Sequence, residues 1–100
     1  MKTNVLDILF PKVRAGVLRL LFSEPKIECY VRELARLSSV SLSTMQQELA
    51  GLTGCGLLTS RSNGYYRFYK ANRDHPLFYE LHVLVVKSLK KKTSRIRKSK

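Results

Sequence analysis

The stretch from Val31 to Lys70, VRELARLSSVSLSTMQQELAGLTGCGLLTSRSNGYYRFYK, is compatible with few folds. Apolar residues recur every three or four positions in two short runs, Val31 to Leu37 and Leu42 to about Thr53, as they do along helices with one buried stripe. In the first run Val31, Leu34, Ala35 and Leu37 are expected inward, with Arg32, Glu33 and Arg36 in water. In the second, Met45, Leu49 and Leu52 are expected inward. Ser38, Ser39, Val40 and Ser41 between them make a tight turn, and Ser41 is the expected N-cap because its hydroxyl can accept from an otherwise unpaired amide of the next turn. Gly51 inside the second run costs about 1 kcal/mol relative to alanine, so its C-terminal half is expected to fray unless something packs close there. Gly54, Cys55 and Gly56 end the helix with left-handed chemistry. Leu57 to Arg61 then reads as a strand, Ser62, Asn63 and Gly64 as a tight turn, and Tyr65 to Ala71 as its antiparallel return.

The flanks complete one domain over residues 1 to 89. Val5, Ile8, Leu9, Val13, Val17, Leu20 and Leu21 keep helical spacing, with Pro11 as a break, which predicts a short N-terminal turn and then a helix from about Lys12 to Phe22. Ile27 to Tyr30 suits a short strand paired with the later hairpin. After Asn72 to His75, Pro76 opens a last helix in which Leu77, Phe78, Leu81, Val83, Leu84, Val85, Val86 and Leu89 leave almost no polar face. An apolar girdle that wide requires a covering surface, and a symmetric copy supplies one, so a homodimer is expected through Leu81, Leu84, Val85 and Leu89. Residues 90 to 100 hold too little apolar content to pack and are expected to be a basic, disordered tail.

The formal charge of +12 favours a polyanionic partner. Eight of the 19 basic side chains, and none of the seven acids, fall in residues 87 to 100. Cys29 and Cys55 are isolated, lie in apolar surroundings and lack the paired spacing of zinc sites or disulfide frameworks, so both are expected to be small buried apolar residues in a reducing cytosol. No secretory leader is read ahead of the first helix and no eighteen-residue apolar run occurs, so the expected location is the cytoplasm, at the nucleoid.

With these residues in view, VRELARLSSVSLSTMQQELAGL followed by GLLTSR, a short turn, YRFYKAN and HPLF resembles the ArsR-like group of winged helix-turn-helix regulators. Within it the chain is similar to the small prokaryotic domains found alone or ahead of a nucleotidyltransferase domain. The resemblance spans roughly residues 5 to 89. It implies a mainly α fold with a small β-hairpin: a three-helix core, a wing, and a C-terminal dimerisation helix. It also implies a dimeric DNA-binding transcription regulator, with the third helix (42–53) in the major groove and the wing (57–71) on the backbone or minor groove. Where such regulators usually carry Arg or Lys on the exposed third-helix face, this chain has Gln47, Ala50 and Gly51. The Gly-Ser and paired-Asp signature of a nucleotidyltransferase does not occur in these residues, so the resemblance implies a binding module and no enzymatic activity.

For base contacts the expected residues are Ser43, Thr44, Gln46 and Gln47, on the half of the third helix that a helix-turn-helix pushes into the groove. Gln pairs in bidentate fashion with adenine, and Ser or Thr hydroxyls serve phosphates or bases. For backbone or minor-groove contacts they are Arg32 and Arg36 on the second helix, Arg61, Tyr65 and Arg67 on the wing, and Lys90, Lys91 and Lys92 in the tail. Strand alternation sends about half of Tyr65, Tyr66, Phe68 and Tyr69 inward without saying which half.

Metal sensing would have to draw on Cys29, Cys55, Asp74, His75, Glu80 and His82. These offer no Cys-x-Cys and no repeated ligand set, so no metal or other cofactor is expected. Two other readings stay open: an interaction module that grips a protein through the last helix and wing, and non-specific nucleic-acid binding through the basic tail. An effector, protein or small molecule, is not legible in the sequence.

Overall fold

The computed structural model describes residues 4 to 89, in the order α1 (Val5–Leu9), α2 (Lys12–Phe22), β1 (Cys29–Tyr30), α3 (Val31–Ser38), α4 (Leu42–Gly54), β2 (Leu58–Ser62), β3 (Arg67–Ala71) and α5 (Phe78–Leu89). Each start has a local cause. The Asn4 side chain accepts from Leu6 N at the head of α1. Pro11, with φ −54°, stands as the N-cap of α2, where its missing N–H costs nothing.

The turn between α3 and α4 rests on one left-handed residue. Ser39 sits at φ 57°, ψ 44°, and its N–H returns to the carbonyls of α3. Ser41 then caps α4, its Oγ accepting from Thr44 N at 3.1 Å, as the sequence predicts. At the other end of α4, Gly56 takes φ 87° beneath the His75 ring, where an added Cβ would meet Cδ2 at 3.2 Å. That position needs glycine for both conformation and space.

The core is organised around α2. Its Ala15, Val17, Leu18, Leu21 and Phe22 are buried on several sides, against Leu34 of α3, Met45 and Leu49 of α4, Leu58 of β2 and Val85 of α5. His82 ties α5 to the end of α2: its Nδ1 lies 2.6 Å from the Phe22 carbonyl, which can only accept, so Nδ1 carries the proton. One of the carbonyls that a helix terminus leaves unpaired is thereby satisfied. The His82 ring stacks on Phe78 with centroids 5.7 Å apart.

The sheet has strand order β1-β3-β2, all antiparallel. The short strand expected over 27 to 30 is reduced to Cys29 and Tyr30, paired with Tyr69 and Phe68. The hairpin also shifts. Its strands begin one and two residues later than predicted, and the turn centres on Gly64 and Tyr65, closed by Asn63 N donating to the Tyr66 carbonyl. Gly64 takes the positive φ, 98°, and Ser62, expected in the turn, ends β2 instead.

Three burial expectations are corrected. Cys55, expected to be buried, is exposed just beyond the end of α4. Leu37, placed inward from its spacing, is half exposed, because the helical repeat carries it off the stripe that Leu34, Ala35 and Ser38 turn inward. Val85, placed on the dimer face, is fully buried among the chain's own side chains and has no surface left to offer a second copy. Leu81 and Leu84 are partly buried against the same core, while Leu89 is exposed. Among the described residues no helix is long and apolar enough to cross a membrane.

Candidate nucleic-acid interface

With Met45, Leu49 and Leu52 drawn into the core, helical geometry points Ser43 and Gln47 directly away from it and sets Thr44 and Gln46 on the flanks. All four are exposed. The helix carries no acidic residue in its first turn and no basic one in its last, so its N-terminal end presents amides and short polar side chains to a partner. Thr44 is less free than its exposure implies. Its Oγ1 lies 2.9 Å from the capping Ser41 Oγ, inside the cap that holds the helix start.

Arg14 on α2 pairs with Glu48 on α4, one turn from Thr44. The hydrogen bond and charge of Glu48 hold the Arg14 guanidinium above its ordinary pKa. This pair ties α4 to α2 and engages the acid that would repel phosphates. Sequence reasoning had assigned neither residue a role, because the partners are 34 positions apart. Beside the clamp a hollow of about 370 Å³ runs along α4, lined by Phe10, Gln47, Gly51, Leu52, Cys55 and Leu57.

On α3, Arg32 and Arg36 are exposed four residues apart, on one helix side. At the hairpin tip Tyr65 is 99% exposed, a flat ring on a glycine-hinged turn. Tyr66 is half exposed, while Phe68 and Tyr69 are partly buried, which resolves the alternation left open by the sequence. Arg67 is exposed and donates to Ser60 Oγ at 3.1 Å. Arg61 is exposed too, but engaged: its Nε and Nη2 hold the two Glu28 carboxylate oxygens at 2.9 and 2.8 Å. Lys90, Lys91 and Lys92 lie outside the described residues.

Arg32, Arg36, the outer face of α4 and the hairpin tip are thus all exposed on a helix-turn-helix followed by a sheet. Among solved structures the chain is similar to reduced HlyU from Vibrio cholerae N16961, with a TM-score of 0.64 over 89% of this chain and 83% of that one, at 24% identity. The fold is a winged helix-turn-helix. No family model matches the chain, and no curated protein does. In this fold α4 stands in the place of the second helix of the helix-turn-helix, and β2–β3 form the wing.

The residues weighed as metal ligands are not brought together. Cys29 is buried on β1 and Cys55 exposed after α4, His75 caps the turn into α5 by accepting from Leu77 N, and His82 is spent on Phe22. Among the described residues no group of three or more His, Cys, Asp or Glu could hold an ion.

Proposed function

We propose that this chain is a dimeric, ArsR-like transcription regulator of prokaryotic type that binds double-stranded DNA in the cytoplasm, at the nucleoid. It inserts α4 into the major groove and rests the wing on the backbone or minor groove. The observation that carries this reading is the outward set of Ser43, Gln46 and Gln47, exposed on a helix that follows the turn at Ser39 and is tied to α2 by the Arg14–Glu48 pair. Gln47 reads a base, adenine being its best partner, while Ser43 and Thr44 serve phosphates or base edges. Arg32, Arg36, Arg67 and Tyr65 position the helix from the flanks, since backbone contacts set register without reading sequence. The basic residues beyond 89 add indiscriminate affinity that falls with salt.

The second copy docks on the exposed apolar residues where α1 and α5 meet. There Asn4 Nδ2 reaches the Ser88 carbonyl, and Val5, Ile8, Leu9 and Leu89 stand in solvent. Such a dimer reads two half-sites about one helical turn, roughly 10 base pairs, apart, and acts by blocking or recruiting polymerase.

Selection of bound fragments from random duplexes tests the reading. The expected result is an enriched, pseudo-palindromic sequence that Gln47→Ala relaxes at one base position per half-site. Equal weakening on every sequence would overturn it. The same patch on α1 and α5 supports a second reading, a module that grips another protein, and competition binding separates the two: a regulator prefers its site over bulk DNA by several orders of magnitude.

A further inference from the structure

The wing has two faces, and only one serves the core. Leu58 pairs with Ala71 and both are buried, so alternation turns the next pair, Thr59 and Lys70, outward, followed by Arg61 and Phe68. On β1, Tyr30 stands opposite Phe68. Three rings gather on this outer face: Tyr30 and Tyr66 with centroids 5.2 Å apart, and Phe68 at 5.8 Å from Tyr30 and 6.4 Å from Tyr66. The Arg61 guanidinium lies 4.8 Å over Phe68.

The cluster runs directly into a basic hollow. Lys70 follows Phe68 by two positions and so shares its face. With Thr59 it lines a depression of about 420 Å³ completed by Lys26, Asn72, Arg73 and Asp74. Lys26, Arg61, Lys70 and Arg73 outnumber the two carboxylates there, Glu28 and Asp74, and Glu28 is already neutralised by Arg61. The surface therefore combines flat, partly exposed rings with an excess of cations along one line.

We propose that this outer wing face binds single-stranded nucleic acid, its bases stacking on Tyr66 and Tyr30 and its phosphates drawn toward Lys70, Lys26 and Arg73. Every base has a stackable face, but in a duplex those faces are covered by neighbouring pairs, so a ring platform selects unpaired strands. The cations supply the complementary charge. The site lies on the wing, which the duplex reading above also uses, but leaves out α4, so a change on α4 separates the two.

The test is anisotropy with the full chain and labelled oligothymidylate of about eight nucleotides, beside a labelled oligouridylate and a duplex. Tyr66→Ala and Lys70→Glu are each expected to weaken single-strand binding about tenfold, with Tyr66→Phe retaining it, since the ring stacks without its hydroxyl. Gln47→Ala is expected to leave single-strand binding unchanged, so failure of this proposal and failure of the duplex reading give different patterns. Thermal melts of each variant confirm that the fold persists. A loss on either sugar chemistry sustains the proposal. Binding within twofold of the parent on both strands would overturn it, as would a loss by Tyr66→Phe equal to that of Tyr66→Ala. So would an acidic peptide that competes equally well and is insensitive to Tyr66→Ala.

Discussion

Arg61 on β2 reaches across the intervening strand β3 to hold Glu28, just before β1, with both carboxylate oxygens engaged and the guanidinium lying over Phe68. The hydrogen bond from Arg61 holds the Glu28 carboxyl below the usual glutamate range, and that from Glu28 holds Arg61 above its own. A duplex phosphate that recruits Arg61 must therefore displace Glu28. Glu28→Gln should strengthen duplex binding at low salt and steepen the dependence of log affinity on log salt by about 0.9, one additional phosphate contact. Arg61→Ala should cancel that gain. Salt titrations of the single and double variants check both, and identical slopes in all of them would show that Arg61 stays clear of DNA.

The same pair sets an acid limit. A carboxyl with a depressed folded pKa contributes stability that is present above its unfolded value and lost as pH falls through the folded one. Urea unfolding as a function of pH should therefore show a shallower acid decline in Glu28→Gln than in the parent chain.

Gly51 has open space around it. An added Cβ would meet nothing within 4 Å beyond the helix's own backbone, so close packing does not explain the glycine. Gly51→Ala should raise stability by about 1 kcal/mol through helix propensity alone, read as a shift in the urea midpoint with unchanged slope. It should also narrow the hollow beside Gln47, which Gly51 lines.

Core and docking surface separate cleanly on the terminal helices. Val85→Ala should cost about 2 kcal/mol by emptying buried volume. Ile8→Asp and Leu89→Asp, at residues 71% and 48% exposed, should leave the thermal melt of the monomer nearly unchanged while lowering the mass seen by sedimentation. A dimer indifferent to both would place the second copy elsewhere.

The two thiols should differ in rate. Cys55 is exposed, whereas Cys29 is buried, and burial, followed by the charge of nearby Glu33, pushes its thiol up. In the folded chain a disulfide reagent should titrate Cys55 rapidly and Cys29 only as slowly as the sheet opens. Because the folded pKa of Cys29 is raised, its contribution to stability is present below the unfolded thiol pKa and lost as pH climbs through the folded one. Cys29→Ala should flatten that alkaline decline.

The order of elements, the span of α2, the Ser41 cap and the glycine-ended α4 were all legible in the chain, because each arises from contacts within four or so residues: a helical stripe, a hydroxyl facing an unpaired amide, a residue free to adopt positive φ. Long-range packing set the rest. Whether Val85 faced inward or outward depended on α2 packing against α5 from far along the chain, and a girdle of apolar residues carries no mark of which side will be covered first. Arg61 read as a free cation until Glu28, 33 positions earlier, was brought across β3. Strand alternation paired Tyr66 with Phe68 and Lys70 on one face, but only the packing of Leu58 and Ala71 against the helices established that this face was the one turned to water.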